Sequence, residues 1–577
     1  MATEQHAPLP SPPQDGPPSL AVEGTAASHR GRRRHWAAQR PSGGSPFSAA
    51  FAAEHAGLIL AIVLGVLLPV VVAAATGNLS IPHNDAWSYS RIAQTFGRTG
   101  HIRLLDWNRS ALIGQFVVLG PLASSIVVQQ LFVAVLAVVG LFAVYDLTRP
   151  ALGTRGAGYA TLVVALWPGF GLLATSFMPD VPALTAALLC LALGRRALER
   201  GSMVLFVLSM ACGLWGMTIR EQSGAAPVAV AVCALAIDRY RRALRPLMTI
   251  GVTILAAVLY LGFDAWHSGL PKVDPPNYAV VTSTLGTAVN LICRSWFTLA
   301  LPLAPAVAYA ARPWRWRRHS QIAAVLTAAA AVMTVHDFHP KNLFLGNYLA
   351  WNGAYAAVMP DGDDRVVFPH HFWWLVVAAA CLSGSLLTGL VIENYRRVGP
   401  ILGVFTLVTA VGTVATNLLG QNISDRYLIA LAPGLLVIVL APAVERDIPR
   451  MRRRLIAPVA AGLAVGLLSL AITANGFSFD TQRWRTATQV AQSGVPAARI
   501  DAGLEWLGYY SPAGMVDRYP SSGMGFEGYF SRVASCRVIT MGKVSRHGWK
   551  LERVVTYSTF LVAGTSRLYV YDSGTPC

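Results

Sequence analysis

Residues 57–76 read GLILAIVLGVLLPVVVAAAT, an apolar run that contains no charged side chain. A helix needs about 20 apolar residues to cross a bilayer, so this run predicts a membrane span. Similar runs follow along a chain of 577 residues, of which 54% are hydrophobic and 13% are charged. Soluble domains carry about 25% charged residues. The composition therefore excludes a soluble globular enzyme, a disordered protein and a disulfide-stapled mini-protein. The apolar runs are continuous rather than alternating, which excludes an outer-membrane β-barrel.

The apolar runs predict a polytopic α-helical membrane protein with about 13 transmembrane helices. They lie near residues 57–76, 117–145, 157–176, 181–195, 203–218, 224–238, 247–265, 291–311, 320–335, 372–392, 399–418, 427–444 and 455–474. Residues 1–50 are rich in Pro, Ser and Gly and contain RGRRR at 30–34, which predicts a disordered basic cytoplasmic tail. Residues 51–474 then form the predicted transmembrane domain.

The chain turns polar from residue 475 onward, and we expect a small extracytoplasmic α/β domain over 475–577. The segment RWRTATQVAQSGV at 483–495 predicts a helix. Three segments rich in β-branched and aromatic residues predict strands: CRVITMGKV at 536–544, KLERVVTYSTFLV at 550–562 and RLYVYD at 567–572. Cys536 and Cys577 lie in this region, and the sequence leaves their pairing open because it shows neither the geometry nor the redox compartment.

Arginine residues in alternate loops predict the orientation of the chain. With a cytoplasmic tail, every predicted inner loop is basic, and the positive-inside rule then places the N-terminus inside and the C-terminal domain outside the plasma membrane. The net charge of +18 follows from this topology, so we expect a lipid bilayer and no nucleic acid as a partner. The loop residues are Arg149, Arg155, Arg195, Arg196, Arg200, Arg239, Arg241, Arg242, Arg245, Arg312, Arg315, Arg317, Arg318, Arg396, Arg397, Arg446, Arg450, Arg452, Arg453 and Arg454.

Two acidic residues lie at predicted outer turns. The first outer loop, 77–116, contains IPHNDAWSYSRIAQTF at 81–96, which places Asp85 just after the first span and predicts an amphipathic helix on the membrane surface. The next outer turn, SFMPDVPALTAALL at 176–189, places Asp180 at the tip of a helical hairpin, with Pro182 at the start of the next helix. From the residues alone, Asp180 is equally a helix N-cap and Asp85 equally a solvated loop carboxylate.

These two motifs, together with TIREQS at 218–223, SDRYLIALAPGLL at 424–436 and the polar region after the last span, resemble the GT-C glycosyltransferases in order and placement. The most similar pattern is the branch of the protein O-mannosyltransferases and the aminoarabinose transferase of lipid A. The resemblance implies a GT-C-like transmembrane fold and a polyprenyl-phosphate-linked sugar as donor. It also implies transfer to an extracytoplasmic acceptor, which is a cell-envelope glycan, a lipid or a protein, and catalytic residues at Asp85 and Asp180.

The first loop departs from this pattern at Asn84, because many relatives have two adjacent acids where this chain has Asn84 and Asp85. A single carboxylate is a poor ligand set for a divalent cation, so no cofactor is named and a divalent cation is left open. A polyprenyl phosphate is a good leaving group that needs charge stabilisation more than protonation. One carboxylate then suffices as general base for the acceptor. We assign this role to Asp85, with Asp180 shaping or polarising the site.

Cationic and aromatic side chains on the outer side are the candidates for binding the substrate and its phosphate. Fork-shaped guanidinium groups suit bidentate phosphate contacts, which favours the arginines. Each arginine has an acid beside it in the sequence, and a structural ion pair with that neighbour is the alternative; for the lysine the alternative is plain solvation. The candidates are Arg220, Arg426, Lys341, His336, His339 and Tyr89.

Two other classes of function stay open. A multi-span transporter or flippase for lipids or sugars would place its ionisable groups near the membrane midplane, whereas here they lie at outer ends of helices. A non-catalytic membrane scaffold would account for the C-terminal region but not for acids at two separate outer turns.

Overall fold

The computed structural model describes residues 49–577 apart from 106–113, 238–241, 243, 272–283, 339–342, 355–367, 420–422, 446–455, 513, 515–526, 531–532, 545–546 and 561–564. Most of the described chain is helical. The helices are α1 Ala49–Ile62, α2 Leu68–Thr76, α3 Ala86–Thr99, α4 Gly114–Val117, α5 Ile126–Ala165, α6 Phe170–Ala174, α7 Asp180–Arg200, α8 Met203–Met217, α9 Ala225–Ala236, α10 Pro246–Ser268, α11 Leu285–Ala310, α12 Arg318–Phe338, α13 His370–Asn394, α14 Pro400–Leu418, α15 Ala432–Glu445, α16 Ile456–Gln492, α17 Leu504–Tyr510 and α18 Glu527–Phe530.

Nine helical segments of the described residues are long and apolar enough to cross a membrane, and two shorter apolar helices, α8 and Glu221–Ala236, accompany them. The prediction of a polytopic α-helical membrane protein is thereby confirmed, while the total of about 13 spans stays a prediction. Helix α12 covers the predicted span near 320–335 but is not one of the nine. The nine segments are Ala53–Thr76, Ile126–Ala165, Asp180–Arg200, Pro246–Ser268, Leu285–Ala310, His371–Arg397, Pro400–Leu418, Asp425–Val444 and Ile456–Gln492.

Helix α5 differs from the prediction of separate spans at 117–145 and 157–176. Its 40 residues contain one break, at Gly153, where φ is 65° and ψ is 177°. A straight helix of that length would measure about 60 Å, roughly twice the hydrocarbon thickness of a bilayer. Glycine adopts this backbone conformation without strain because it has no Cβ. The break therefore divides α5 into 126–152 and 154–165; the first stretch overlaps the predicted span at 117–145, and the second covers only the start of the span predicted at 157–176.

Large apolar side chains on the outside of the helices mark the surface that meets lipid. Helix α10 is the clearest example, because only 11% of its most apolar window is buried in the protein. Leu247 is 85% exposed and Leu261 is 64% exposed on this helix. In water such a surface would be costly, whereas lipid tails are as apolar as leucine. Its exposure is therefore what a membrane protein requires.

Three strands of the C-terminal region match the segments predicted to be strands, although the last one begins at Thr565, two residues before its predicted segment; the short strand at 500–501 was not predicted. The strands are β1 Ile500–Asp501, β2 Arg537–Thr540, β3 Lys550–Ser558 and β4 Thr565–Asp572, in the order β1-β2-β4-β3. β1 pairs with β2 in parallel, and the other two pairs are antiparallel. Trp484 and Val490 on α16 pack into one apolar core with Ile539 and Val570 of the sheet.

Helix α16 runs without interruption through the predicted domain boundary at residue 475. The sheet core thus rests on the continuation of a candidate membrane-spanning helix, while the domain boundaries themselves stay predictions. Cys536 and Cys577 form a disulfide with a Cα–Cα distance of 5.7 Å, which answers the question that the sequence leaves open. This bond ties the chain end to the start of β2.

Candidate active site

The Asp85 carboxylate lies at the start of α3, in the predicted amphipathic segment. Ala86, Trp87 and Ile92 of α3 are buried, whereas Arg98 and Thr99 at its C-terminal end are exposed. Helix α3 packs against α17, and the Trp87 ring meets the ring of Phe530 on α18 edge to face, with centroids 5.5 Å apart. The contacts with α17 and α18 therefore set the direction in which α3 presents Asp85.

Asp180 is the first residue of α7, and the N-cap position belongs to Pro179. The N-cap interpretation left open by the sequence is therefore not what the structure shows. Instead, Asp180 Oδ1 lies 3.1 Å from Arg220 Nη1 and 3.4 Å from Arg426 Nε. One carboxylate oxygen thus holds two guanidinium groups, from residues distant in the sequence.

Arg426 links the two acids. Its Nη2 lies 3.7 Å from Asp85 Oδ2, while its Nε faces Asp180. The side chains of Arg426 and Asp180 are each 5% exposed, whereas that of Asp85 is 31% exposed. We call Asp85, Asp180, Arg220 and Arg426 the charged cluster. Asp85 is its most accessible carboxylate and has the longest ion pair.

The neighbouring acids are not the partners of the two arginines. Asp425 Oδ2 accepts hydrogen bonds from the backbone N–H groups of Tyr348 (2.9 Å) and Leu349 (2.6 Å). Asp425 therefore anchors the segment around residue 348. Arg220 pairs with Asp180 rather than with the adjacent Glu221, whose side chain is exposed.

Aromatic rings complete the surroundings of the arginines. The Arg220 guanidinium carbon lies 4.5 Å from the centroid of the Tyr427 ring, and that of Arg426 lies 5.2 Å from it. Burial alone lowers the pKa of Arg220, but Asp180, Tyr427 and Tyr89 together raise it above its ordinary value. The structure therefore brings the predicted Tyr89 near the cluster. Tyr427 was not predicted, although its position beside Arg426 in DRY was the available signal.

A cavity of about 280 Å³ adjoins the charged cluster. Its charged lining contains Asp180, Arg220, Glu221 and Arg426, and α14 contributes both apolar side chains and the hydroxyl groups of Thr409, Thr413 and Thr416. Leu407 on α14 is 63% exposed, as expected of a helix that meets lipid. An anionic group attached to an apolar chain fits such a cavity. The aliphatic and phenyl side chains of the lining are Ala183, Leu184, Ala187, Ala225, Phe405, Val408, Ile423, Ile429 and Ala430.

The histidine and lysine candidates are not placed at the cluster by the described residues. His336 is exposed, and its Nδ1 lies 3.4 Å from Asp337 Oδ1. His339 and Lys341 lie outside the described residues.

Among the residues described, no group of three or more His, Cys, Asp or Glu side chains could hold a metal ion. Between Asp85 and Asp180 the guanidinium of Arg426 stands where a bridging divalent cation would have to lie. A second positive charge at this place would be repelled. The two carboxylates therefore do not fit a shared metal ion.

No curated protein matches the chain. Among solved structures, ArnT from Cupriavidus metallidurans bound to undecaprenyl phosphate aligns with 13% identity over 75% of this chain and 72% of that chain, at a TM-score of 0.38. This similarity is too low to carry an argument about function.

Residues 119–267 match the model of a family described as dolichyl-phosphate-mannose-protein mannosyltransferase. The matched segment contains Asp180 and Arg220 but not Asp85 or Arg426, so it includes half of the charged cluster. Over this segment, the match confirms the resemblance to GT-C glycosyltransferases that the sequence motifs predict.

Proposed function

We propose that this protein is a membrane glycosyltransferase that moves one sugar from a polyprenyl-phosphate carrier to an acceptor on the extracytoplasmic side of the plasma membrane. The observation that carries the proposal is the pair of guanidinium groups held by one carboxylate oxygen beside an apolar-walled cavity. The family match over residues 119–267 supports the same activity.

The two arginines suit the phosphate of the lipid carrier. A guanidinium group stays charged at any physiological pH and presents parallel N–H donors that match phosphate oxygens. Burial makes such charge-assisted hydrogen bonds stronger than they are in water. Arg220 and Arg426 would hold the phosphate, while the apolar walls of the cavity would receive the first isoprenoid units.

The two acids have different environments, which supports different roles. Asp180 is almost fully buried and engages both arginines, so it positions the guanidinium groups. Asp85 is 31% exposed with a single 3.7 Å ion pair, so its oxygens can receive a proton from an acceptor. We therefore assign the general base to Asp85.

The reaction then needs no further group. Asp85 takes the proton of the acceptor hydroxyl or amine, and the acceptor atom attacks the anomeric carbon. The bond between that carbon and the phosphate oxygen breaks, and the electron pair stays on the phosphate. Arg220 and Arg426 stabilise the added negative charge, which is where a preorganised site contributes most to rate.

Binding of the carrier can be tested without knowing the sugar or the acceptor. Purified protein in detergent is titrated with undecaprenyl phosphate, with undecaprenol as the uncharged control, and thermal unfolding is followed. We expect stabilisation by the phosphate alone. Arg220→Gln and Arg426→Gln each remove charge-assisted hydrogen bonds of about 1.5–3 kcal/mol, which predicts affinities about 10–150-fold weaker.

Transfer is tested in lipid vesicles with labelled undecaprenyl-phosphate hexoses and pentoses. Asp85→Asn should bind undecaprenyl phosphate at least as tightly as wild type, because Asp85 pairs with Arg426, but should lose roughly 10²-fold or more in sugar release. Glu199→Gln is the matched control, because it also neutralises a carboxylate. Glu199 is exposed at the end of α7 opposite to Asp180 and pairs with Arg195. Movement of the lipid-linked sugar across the vesicle without transfer would favour a transporter. Full activity in Asp85→Asn would show that Asp85 is not the general base.

A further inference from the structure

A closed ring of polar contacts lies directly before Asp85. His83 Nδ1 donates to Asp480 Oδ2 at 2.6 Å, and Asp480 Oδ1 accepts from Arg483 Nη2 at 2.8 Å. Arg483 Nη1 donates to Glu505 Oε2 at 2.7 Å, and Glu505 Oε1 accepts the backbone N–H of Asn84 at 3.1 Å. The peptide bond between His83 and Asn84 closes the circle, which we call the loop ring.

The loop ring is sealed from solvent. The side chains of His83, Asp480, Arg483 and Glu505 are all 0% exposed. Such charged groups are costly to bury, and they are tolerated only where every charge finds a hydrogen-bonded partner of opposite sign. Arg483 meets this condition by lying between two carboxylates. Buried ion pairs can often be replaced by apolar side chains without loss of stability. The loop ring is therefore better explained by a role in fixing the local geometry of the chain.

The loop ring joins two parts of the chain. His83 and Asn84 belong to the first outer loop, whereas Asp480 and Arg483 lie on α16 and Glu505 on α17. Their separation along the sequence is close to 400 residues for His83 and Asp480. The ring therefore attaches the first outer loop to the C-terminal region at two successive residues, once through a side chain and once through the backbone.

The attachment acts on a backbone that is held in an unusual conformation. Asn84 has a φ of 52°, in the left-handed region, where residues other than glycine are uncommon. Its side-chain amide also donates to Asn347 Oδ1 at 3.1 Å. Strained conformations persist only when the surroundings determine them, and they cluster at functional sites. This turn leads directly into α3, and Asp85 is the residue that follows Asn84.

We propose that the loop ring is a positioning device for Asp85: His83, Asp480, Arg483 and Glu505 hold the turn at Asn84 so that the carboxylate reaches the charged cluster. This inference rests on the proposed function, because it takes Asp85 as the base. It assigns to the C-terminal region a task in catalysis, which is to hold the base rather than to contact the lipid phosphate. Arg220 and Arg426 lie outside the ring, so carrier binding is independent of it.

The test separates turnover from carrier binding. In Glu505→Gln, only one oxygen can still accept, so the amide NH2 group faces either Arg483 Nη1 or the Asn84 backbone N–H and one contact of the ring is lost. In His83→Ala, the contact to Asp480 is lost. We expect kcat to fall about 10–100-fold in each variant, as for other misplacements of a reacting group by about 1 Å. The affinity for undecaprenyl phosphate should stay within about twofold. His83→Gln, whose amide can donate to Asp480, should recover much of the lost kcat.

Stability effects are controlled by Trp484→Phe. Trp484 packs against Trp506 with ring centroids 5.0 Å apart in the same C-terminal core, but it belongs to no contact of the ring. This variant should unfold at a lower temperature and keep its kcat. If Glu505→Gln does not elute as folded protein, His83→Ala and Asp480→Asn carry the test.

A double-mutant cycle decides whether the ring acts through Asp85. If it does, His83→Ala should cost nothing further in an Asp85→Asn background, because residues acting through one group are non-additive. Effects that multiply, or folded ring variants with wild-type kcat, would overturn the inference and leave the proposed function intact. Wild-type activity in Asp85→Asn alone would instead overturn the base assignment and, with it, the ring's task.

Discussion

Asp180→Asn has a predicted effect of unusual sign: it should tighten the binding of undecaprenyl phosphate. Asp180 Oδ1 holds Arg220 at 3.1 Å and Arg426 at 3.4 Å, so its charge competes with the phosphate for both guanidinium groups. Asparagine has the same shape and keeps the accepting oxygen. The substitution therefore removes the charge while leaving the arginines a hydrogen-bond acceptor.

The magnitude follows from the distances. At an effective dielectric constant of about 20, two unit charges at 3.1 Å attract by about 5 kcal/mol. A phosphate seated on the arginines would lie about 6 Å from the carboxylate and be repelled by about 3 kcal/mol at that dielectric constant. Partial screening lowers this figure, and we expect a gain of about 1.4–2.8 kcal/mol, or 10–100-fold in affinity.

The free protein should show the opposite change. Without the Asp180 charge, Arg220 loses its ion pair and Arg426 keeps only the 3.7 Å pair with Asp85. Breaking a buried ion pair costs about 3–5 kcal/mol. Asp180→Asn should therefore unfold at a lower temperature than wild type without lipid and be stabilised more by added undecaprenyl phosphate. Turnover should fall, because a tightly held product leaves slowly.

Thermal unfolding with and without undecaprenyl phosphate measures both changes in one experiment, and sugar release in vesicles measures the third. Glu199→Gln serves again as the control, since it removes an exposed charge near the opposite end of the same helix. Weaker or unchanged binding of undecaprenyl phosphate by folded Asp180→Asn would refute the reasoning.

Three further predictions concern stability. Reduction of the bond between Cys536 and Cys577, which are separated by 41 residues, should lower the free energy of unfolding by up to about 4 kcal/mol, as seen in thermal melts with and without reductant. Burial raises the pKa of Glu505 above its ordinary 4.5, against the opposing effect of Arg483, so the folded state binds this proton more tightly than the unfolded chain does. This contribution to the free energy of unfolding is fully present below pH 4.5 and is lost as the pH rises through the pKa of Glu505 in the folded state. Thermal melts of wild type at increasing pH should show this decline, and melts of Glu505→Gln should not. In Gly508→Ala, a Cβ would approach the buried indole of Trp87, so we expect about 1–3 kcal/mol of destabilisation; an unchanged melting temperature would contradict this packing.

Membrane insertion and the rough positions of the spans could be predicted because hydropathy acts locally. Residues 57–76 are apolar whatever they pack against, and a helix is the form in which a single chain segment satisfies its backbone in lipid. Details that depend on a single backbone angle could not be predicted in this way. The break at Gly153, which divides α5, is one glycine among many in the sequence.

The motifs singled out Asp85, Asp180, Arg220 and Arg426, but not their partners. Sequence adjacency pointed to Glu221 and Asp425 as partners of the arginines. Successive side chains project in different directions both in the 3-10 turn that contains Asp425 and Arg426 and on the extended backbone of Arg220. The structure instead pairs both arginines with Asp180 and directs Asp425 to backbone N–H groups.

Short stretches of residue types were therefore sufficient to predict the membrane environment and the helical class, and they singled out acids and arginines in turns between predicted spans. The tertiary structure decided which of these side chains meet: Asp85 with Arg426, and His83 with Asp480, far along the chain. Contacts at such separation depend on how whole helices pack, and no local pattern records that. The buried ring before Asp85 is therefore visible only in the folded protein.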